Sequence, residues 1–145
     1  IIGSGTQYYK LLTICKKLGI SDKVKFLGRL PRKRVLLFMR ASDVLVLPSL
    51  SEGLPLVVLE AMASQLPVIV TKFGGPSELI MNGVDGFIVD PRNIDELSER
   101  ISEVLYDDLL RKYLAENAFK KVKKFDWKEI SLRLLDIYSR VMHNY

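Results

Sequence analysis

The chain has 145 residues, a formal net charge of +5, one Cys and one His, which is the length of one domain. A lone Cys and a lone His exclude an internal disulfide, a zinc site and a Cys–His nucleophile. The apolar stretches are too short to span a bilayer, and Cys15 reads as a small core residue in a reducing compartment, so a cytoplasmic location is expected.

Ile1-Ile2 reads as the end of a strand whose beginning is missing, so the chain is expected to be a piece of a longer protein. Gly3-Ser4-Gly5 makes a tight turn. Tyr8, Leu11, Leu12, Cys15 and Leu18 then recur at helical spacing until Gly19 stops the helix. Val24 to Gly28 alternates as a short strand. Pro31 to Ala41 reads as a helix with Val35, Phe38 and Met39 on one face. Val44 to Leu47 is a buried strand feeding the stretch Ser49 to Ala63, where Pro55 is expected at the first helical position. Val68-Ile69-Val70 is a continuous β-branched run, as in a strand covered on both faces.

Gly74-Gly75-Pro76-Ser77-Glu78 is a second glycine-rich loop with a short helix to about Met81. Turn pairs Asn82-Gly83 and Asp85-Gly86 lead into strand Phe87-Ile88-Val89. The remainder, about 94–142, is helical. Asn93 caps the first helix, and Asp107-Asp108 reads as a cap between two helices rather than as metal ligands. The last helix carries Trp127, Ile130, Leu134, Leu135, Ile137, Tyr138 and Val141 on a broad apolar face. That face packs either on this domain's own sheet or on a neighbouring domain.

About five short strands alternating with helices predict an α/β fold over residues 1–145. The expected architecture is a doubly wound, Rossmann-like parallel sheet with helices on both faces. Basic residues gather at Arg29, Arg32, Lys33, Arg34 and Arg40, and again from Arg111 to Lys128. The second run reads as a solvated helix face, with a peripheral contact to an anionic membrane as the alternative. No nucleic-acid module accompanies the charge, so nucleic acid is not an expected partner.

The residues able to carry chemistry are carboxylates, glycine loops and backbone amides. His143 lies at the end of the chain, where a catalytic base is not expected. Gly3-Ser4-Gly5 is half of a dinucleotide fingerprint and borders the carboxyl edge of the sheet. Glu52, Gly53 and Leu54 fall on the loop between a strand's carboxyl end and a helix N-terminus, where free N–H groups favour a phosphate. Glu60 lies among apolar residues, so it needs a partner, either a salt bridge or ligand hydroxyls. Seven residues separate Glu52 from Glu60. That span is about 12 Å at helical rise, against the ~5–5.5 Å between the paired carboxyls of a retaining glycoside hydrolase. Glu78 is either a first-turn carboxylate or part of a loop that closes on ligand.

Ser-Glu-Gly-Leu-Pro-Leu-Val-Val-Leu-Glu-Ala-Met-Ala (51–63) resembles the Glu–seven residues–Glu motif of retaining glycosyltransferases of the GT-B fold, family 4 or group 1. Val24–Gly28, Ala41–Val44, Pro67–Thr71, Gly74–Glu78 and Gly83–Gly86 follow in the family's order and spacing. The family often has Gly where Pro55 stands, and Pro removes one amide donor. The resemblance implies the C-terminal, donor-binding half of a GT-B enzyme, taking a nucleotide-diphosphate sugar as co-substrate without a metal or other cofactor. Glu52 would face the donor sugar as the catalytic carboxylate. The backbone at Gly53, Leu54, Leu56 and Gly3 would meet sugar and diphosphate. Glu60 would bind the ribose, and Arg29 and Leu30 the base. The expected activity is transfer of a hexose-type sugar with retention. An N-terminal acceptor domain and upstream basic residues would complete the cleft, and the inner face of the membrane is the alternative location. A sugar-nucleotide epimerase of the same fold and a non-catalytic interaction domain are the competing readings.

Overall fold

The structure, a computed structural model, describes residues 1–50, 53 and 55–142. It comprises two compact units, Ile1–Phe38 and Met39–Tyr145.

The first unit holds helix α1 (Tyr8–Lys17), which ends as expected where Gly19 takes φ +66°. Helix α2 (Arg32–Arg40) begins in this unit. The two expected strands, 1–2 and 24–28, are not regular strands. They lie alongside each other through three backbone hydrogen bonds: Ile1 to the Lys25 carbonyl, Leu27 to the Ile1 carbonyl, and Gly3 to the Gly28 carbonyl. The pairing is too short to propagate a ladder. Tyr8 packs edge-to-face on Phe26, with ring centroids 5.5 Å apart.

The second unit is built on a parallel sheet of β1 (Leu45–Leu47), β2 (Val68–Thr71) and β3 (Phe87–Val89), in the order β1-β2-β3. Helices α3 (Leu56–Ala63) and α4 (Gly75–Leu79) form the crossovers. Then follow α5 (Ile94–Tyr106), α6 (Asp108–Val122), a 3₁₀ turn (Lys123–Phe125) and α7 (Trp127–Met142). Every residue of β2 is buried, as its β-branched run predicts. The register sets Val46 opposite Ile69 and Ile69 opposite Phe87. Against that face pack Val104 of α5 and Leu114 of α6, both fully buried. Val68 and Val70, on the opposite face, are fully buried too.

Caps set the helix boundaries. The Asn93 side chain accepts from the Glu96 N–H, and Asp107 accepts from the Leu110 N–H. These bonds confirm both residues as N-caps. Pro55 differs from expectation. It is the N-cap residue, with extended backbone at φ −79° and ψ 104°, and Leu56 is the first helical residue.

Two further readings change. The run from Arg111 to Lys128 is only partly a solvated face. Arg111 donates to the Val104 and Leu105 carbonyls at the end of α5 and pairs with Asp108. Lys121 Nζ lies 2.7 Å from Oδ2 of Asp85, which is 4% exposed. The other Asp85 oxygen accepts the Met81 N–H, and Asn117 donates to the Val84 carbonyl. The 81–86 turn is thereby stapled to α6. Beside it, Gly86 has no room for a side chain: a Cβ there would lie 2.8 Å from both Val68 Cγ2 and the Val68 carbonyl. The last helix is the second change. None of its residues is buried, so its apolar face does not pack on this sheet.

Removing one partner of a buried ion pair strands the other. Asp85→Ala is expected to cost about 2–4 kcal/mol, because it strands both Lys121 and the Met81 N–H. Lys121→Ala strands the Asp85 carboxylate but leaves it the Met81 N–H, so it is expected to cost less than losing both bonds. Urea unfolding of the two variants checks the order.

Candidate functional site

The carboxyl edge of the sheet is assembled from three strand ends. β1 runs out through Pro48 into the 49–55 loop, β2 into the Lys72–Gly74 turn, and β3 into Asp90. This is the edge at which open α/β sheets take ligands.

In the second unit, the loop and α3 carry the expected donor residues. Gly53 is exposed, and a Cβ on it would meet nothing within 4 Å. Leu56 opens α3 and is 66% exposed. Of the first-turn amides, that of Val58 donates to the Pro55 carbonyl at 3.0 Å and Pro55 has none; those of Leu56 and Val57 have no partner within the helix and suit an anion. Glu60 is half-buried on α3, beside fully buried Val58, Ala61 and Met62. It has an interaction within the fold. Glu52 and Leu54 lie outside the described residues, as does His143. Glu78 sits exposed in the first turn of α4, where Ser77 Oγ closes the turn onto the Gly74 carbonyl at 2.8 Å.

In the first unit, Gly3, Arg29 and Leu30 are brought close to one another. The Gly3 N–H is taken by the Gly28 carbonyl at 2.8 Å, and Arg29 Nε donates to Ser4 Oγ at 2.8 Å. Gly3 has φ +126°, a conformation that favours glycine, and open space where a side chain would stand. A contact from Gly3 therefore comes from close backbone approach rather than from its N–H.

Two features of this edge escaped the sequence reading. Thr71, 1% exposed at the end of β2, donates its hydroxyl to the Ser49 carbonyl. Its signal was available as the one polar residue closing an apolar strand. Lys72 Nζ lies 2.5 Å from Asp90 Oδ2, tying the ends of β2 and β3. That ammonium is the main cause holding the Asp90 carboxyl below its ordinary value of 3.8, followed by the Arg92 N–H.

Charge is divided unevenly. Residues 1–38 hold nine Lys and Arg against one Asp, so the positive excess belongs to the first unit. At the opposite, amino edge of the sheet lies a cavity of about 420 Å³ lined by Asp43, Gln65, Pro67, Arg111 and Glu116 among others. It is the footing of α6, remote from the strand ends that carry the loop. Among the described residues, no three His, Cys, Asp or Glu side chains cluster as a metal site, and no helix is long and apolar enough to cross a membrane.

The pattern described as Glycosyl transferases group 1 matches residues 1–121. The chain belongs to this family. It is 36% identical over 141 residues to an uncharacterized glycosyltransferase of Methanocaldococcus jannaschii, covering 97% of this chain and 40% of that protein. Among solved structures, HepE of Anabaena in complex with UDP-glucose aligns at a TM-score of 0.83 and 29% identity, over 96% of this chain and 40% of that one. Sucrose-phosphate synthase of Thermosynechococcus elongatus aligns at 0.85 and 26%, over 99% and 38%. The chain thus spans about two-fifths of these relatives, and its fold is the Rossmann-like α/β arrangement of GT-B glycosyltransferases.

The Lys72–Asp90 tie gives a pH prediction. A carboxyl whose folded pKa is lowered stabilises above its unfolded pKa and loses that contribution as pH falls through the folded value. The melting-temperature advantage of wild type over Asp90→Asn is therefore expected to shrink as pH falls from 5 towards 2. Thermal melts across that range check it.

Proposed function

We propose that this chain is the donor-binding part of a glycosyltransferase that moves a hexose-type sugar from a nucleotide-diphosphate sugar to an acceptor with retention of configuration. The observation that carries the reading is the loop and helix N-terminus at the sheet's carboxyl edge. An open Gly53 and the Leu56 and Val57 amides at the start of α3 there offer a seat for a diphosphate. The likeness to HepE, solved with UDP-glucose, supports the same ligand class.

On this reading Glu52 faces the donor sugar and Glu60 holds the ribose hydroxyls, one at each end of the diphosphate. The amides near Gly53, Leu54 and Leu56 meet developing charge on the leaving diphosphate, which stabilises the transition state more than the bound substrate. Gly3 approaches the donor through its backbone, and Arg29 and Leu30 meet the base. The acceptor is held by a further domain of the full-length protein. Amides and basic side chains, rather than a metal, carry the diphosphate charge, so transfer is expected to persist in EDTA.

Isothermal titration of the full-length protein with UDP-, GDP- and ADP-glucose tests the reading. One of them is expected to bind, and Glu60→Ala is expected to weaken it about tenfold, the effect of losing charge-assisted hydrogen bonds. Binding of none, or affinity indifferent to Glu60→Ala, would remove the assignment. NMR of the product's anomeric configuration tests retention.

A further inference from the structure

We propose that Thr71 is a positioning residue for donor binding, anchoring the root of the 49–55 loop to the core of the sheet. The inference rests on the donor-binding reading of that loop.

Three of the four β2 residues are apolar and all four are buried. A hydroxyl at such a place costs stability unless it is bonded, and a Val would fill much the same volume without that requirement. The Thr71 hydroxyl has its partner outside the strand, in the carbonyl of Ser49. The location of that bond gives it a role. Backbone pairing between β1 and β2 ends at Leu47 opposite Val70. Pro48 follows, with no N–H to extend the ladder. Thr71 is the next residue of β2, and its side chain takes the loop's first carbonyl just where the backbone ladder stops.

The anchor is itself held firmly. Thr71 pairs with Val89 of β3 in the register, and Val89 is 2% exposed in the core that includes Val104 and Leu114. The path from core to ligand is therefore short: β3, Thr71, Ser49, then the segment bearing Glu52 and Gly53. Fixing the loop's root lowers the ordering cost that donor binding would otherwise meet.

The test uses the full-length protein with Thr71→Val, which removes the hydroxyl and keeps the branched shape, and Thr71→Ser, which keeps the hydroxyl. Hydrogen exchange of peptides covering residues 49–56 is expected to quicken in Thr71→Val, while peptides of β2 and β3 exchange as in wild type. A merely structural role would loosen the strands as well. Affinity for UDP-glucose is expected to fall about three- to tenfold, the range for one lost hydrogen bond, and Thr71→Ser is expected to restore both readouts. Wild-type exchange of the loop in Thr71→Val, or a loosened loop in Thr71→Ser, overturns the inference. Should Thr71→Val fail to fold, Thr71→Cys, near in size with a much weaker donor, takes its place. The two proposals fail separately. A loosened loop in a protein that binds none of UDP-, GDP- and ADP-glucose leaves the anchor standing and removes the donor reading. Donor binding sensitive to Glu60→Ala but indifferent to Thr71→Val does the reverse.

Discussion

The double-sided burial of β2 governs the second unit. Val68, Ile69 and Val70 have no exposed surface, and burying each such side chain fully contributes about 1.5–3 kcal/mol. That burial obliges the strand's backbone to find every partner inside the protein. Pairing with β1 on one side and β3 on the other meets the obligation, and it fixes where the strand ends emerge. The loop after β1 and the turn after β2 consequently open at one edge, the edge at which open α/β sheets take ligands.

Polar groups near this core are used as ties. Thr71 reaches back to β1's outgoing loop, Lys72 reaches across to Asp90, and Lys121 reaches from α6 to Asp85. Each joins segments far apart in the chain, and each lies near a strand end or turn where the backbone ladder stops. The apolar core sets the position of the sheet, and these polar ties set the geometry of what leaves it.

The same division explains what could be read from sequence. The β-branched run of β2, the caps at Asn93 and Asp107 and the strand-loop-helix order around Pro55 are local patterns, and the structure has them. The position of Pro55 was missed by one residue, because Pro satisfies both an N-cap and a first-turn backbone. Residues 1–2 and 24–28 read as two strands, and the chain makes only a few ladder bonds there. Lys121 looked like one more surface cation in a basic run, because its partner lies 36 residues upstream. At the candidate site, the family motif falls on the segment between β1 and α3, at the carboxyl edge of the sheet. The Thr71 anchor had no sequence signature beyond a polar residue ending an apolar strand.

Helix α7 differs from every element just named. Its first turn is held by Asp126, which accepts the Lys128 and Ile130 N–H groups, yet none of its side chains is buried. Trp127 is 80% exposed, and Leu135, Ile137, Tyr138 and Val141 are each more than half exposed. A solitary helix of this length is marginal in water, since nucleation is unfavourable and most helical stability in proteins comes from packing an amphipathic face. Burial against the sheet therefore adds little to its stability, which rests on its own backbone bonds, the Asp126 cap and the Arg140–Asp136 pair.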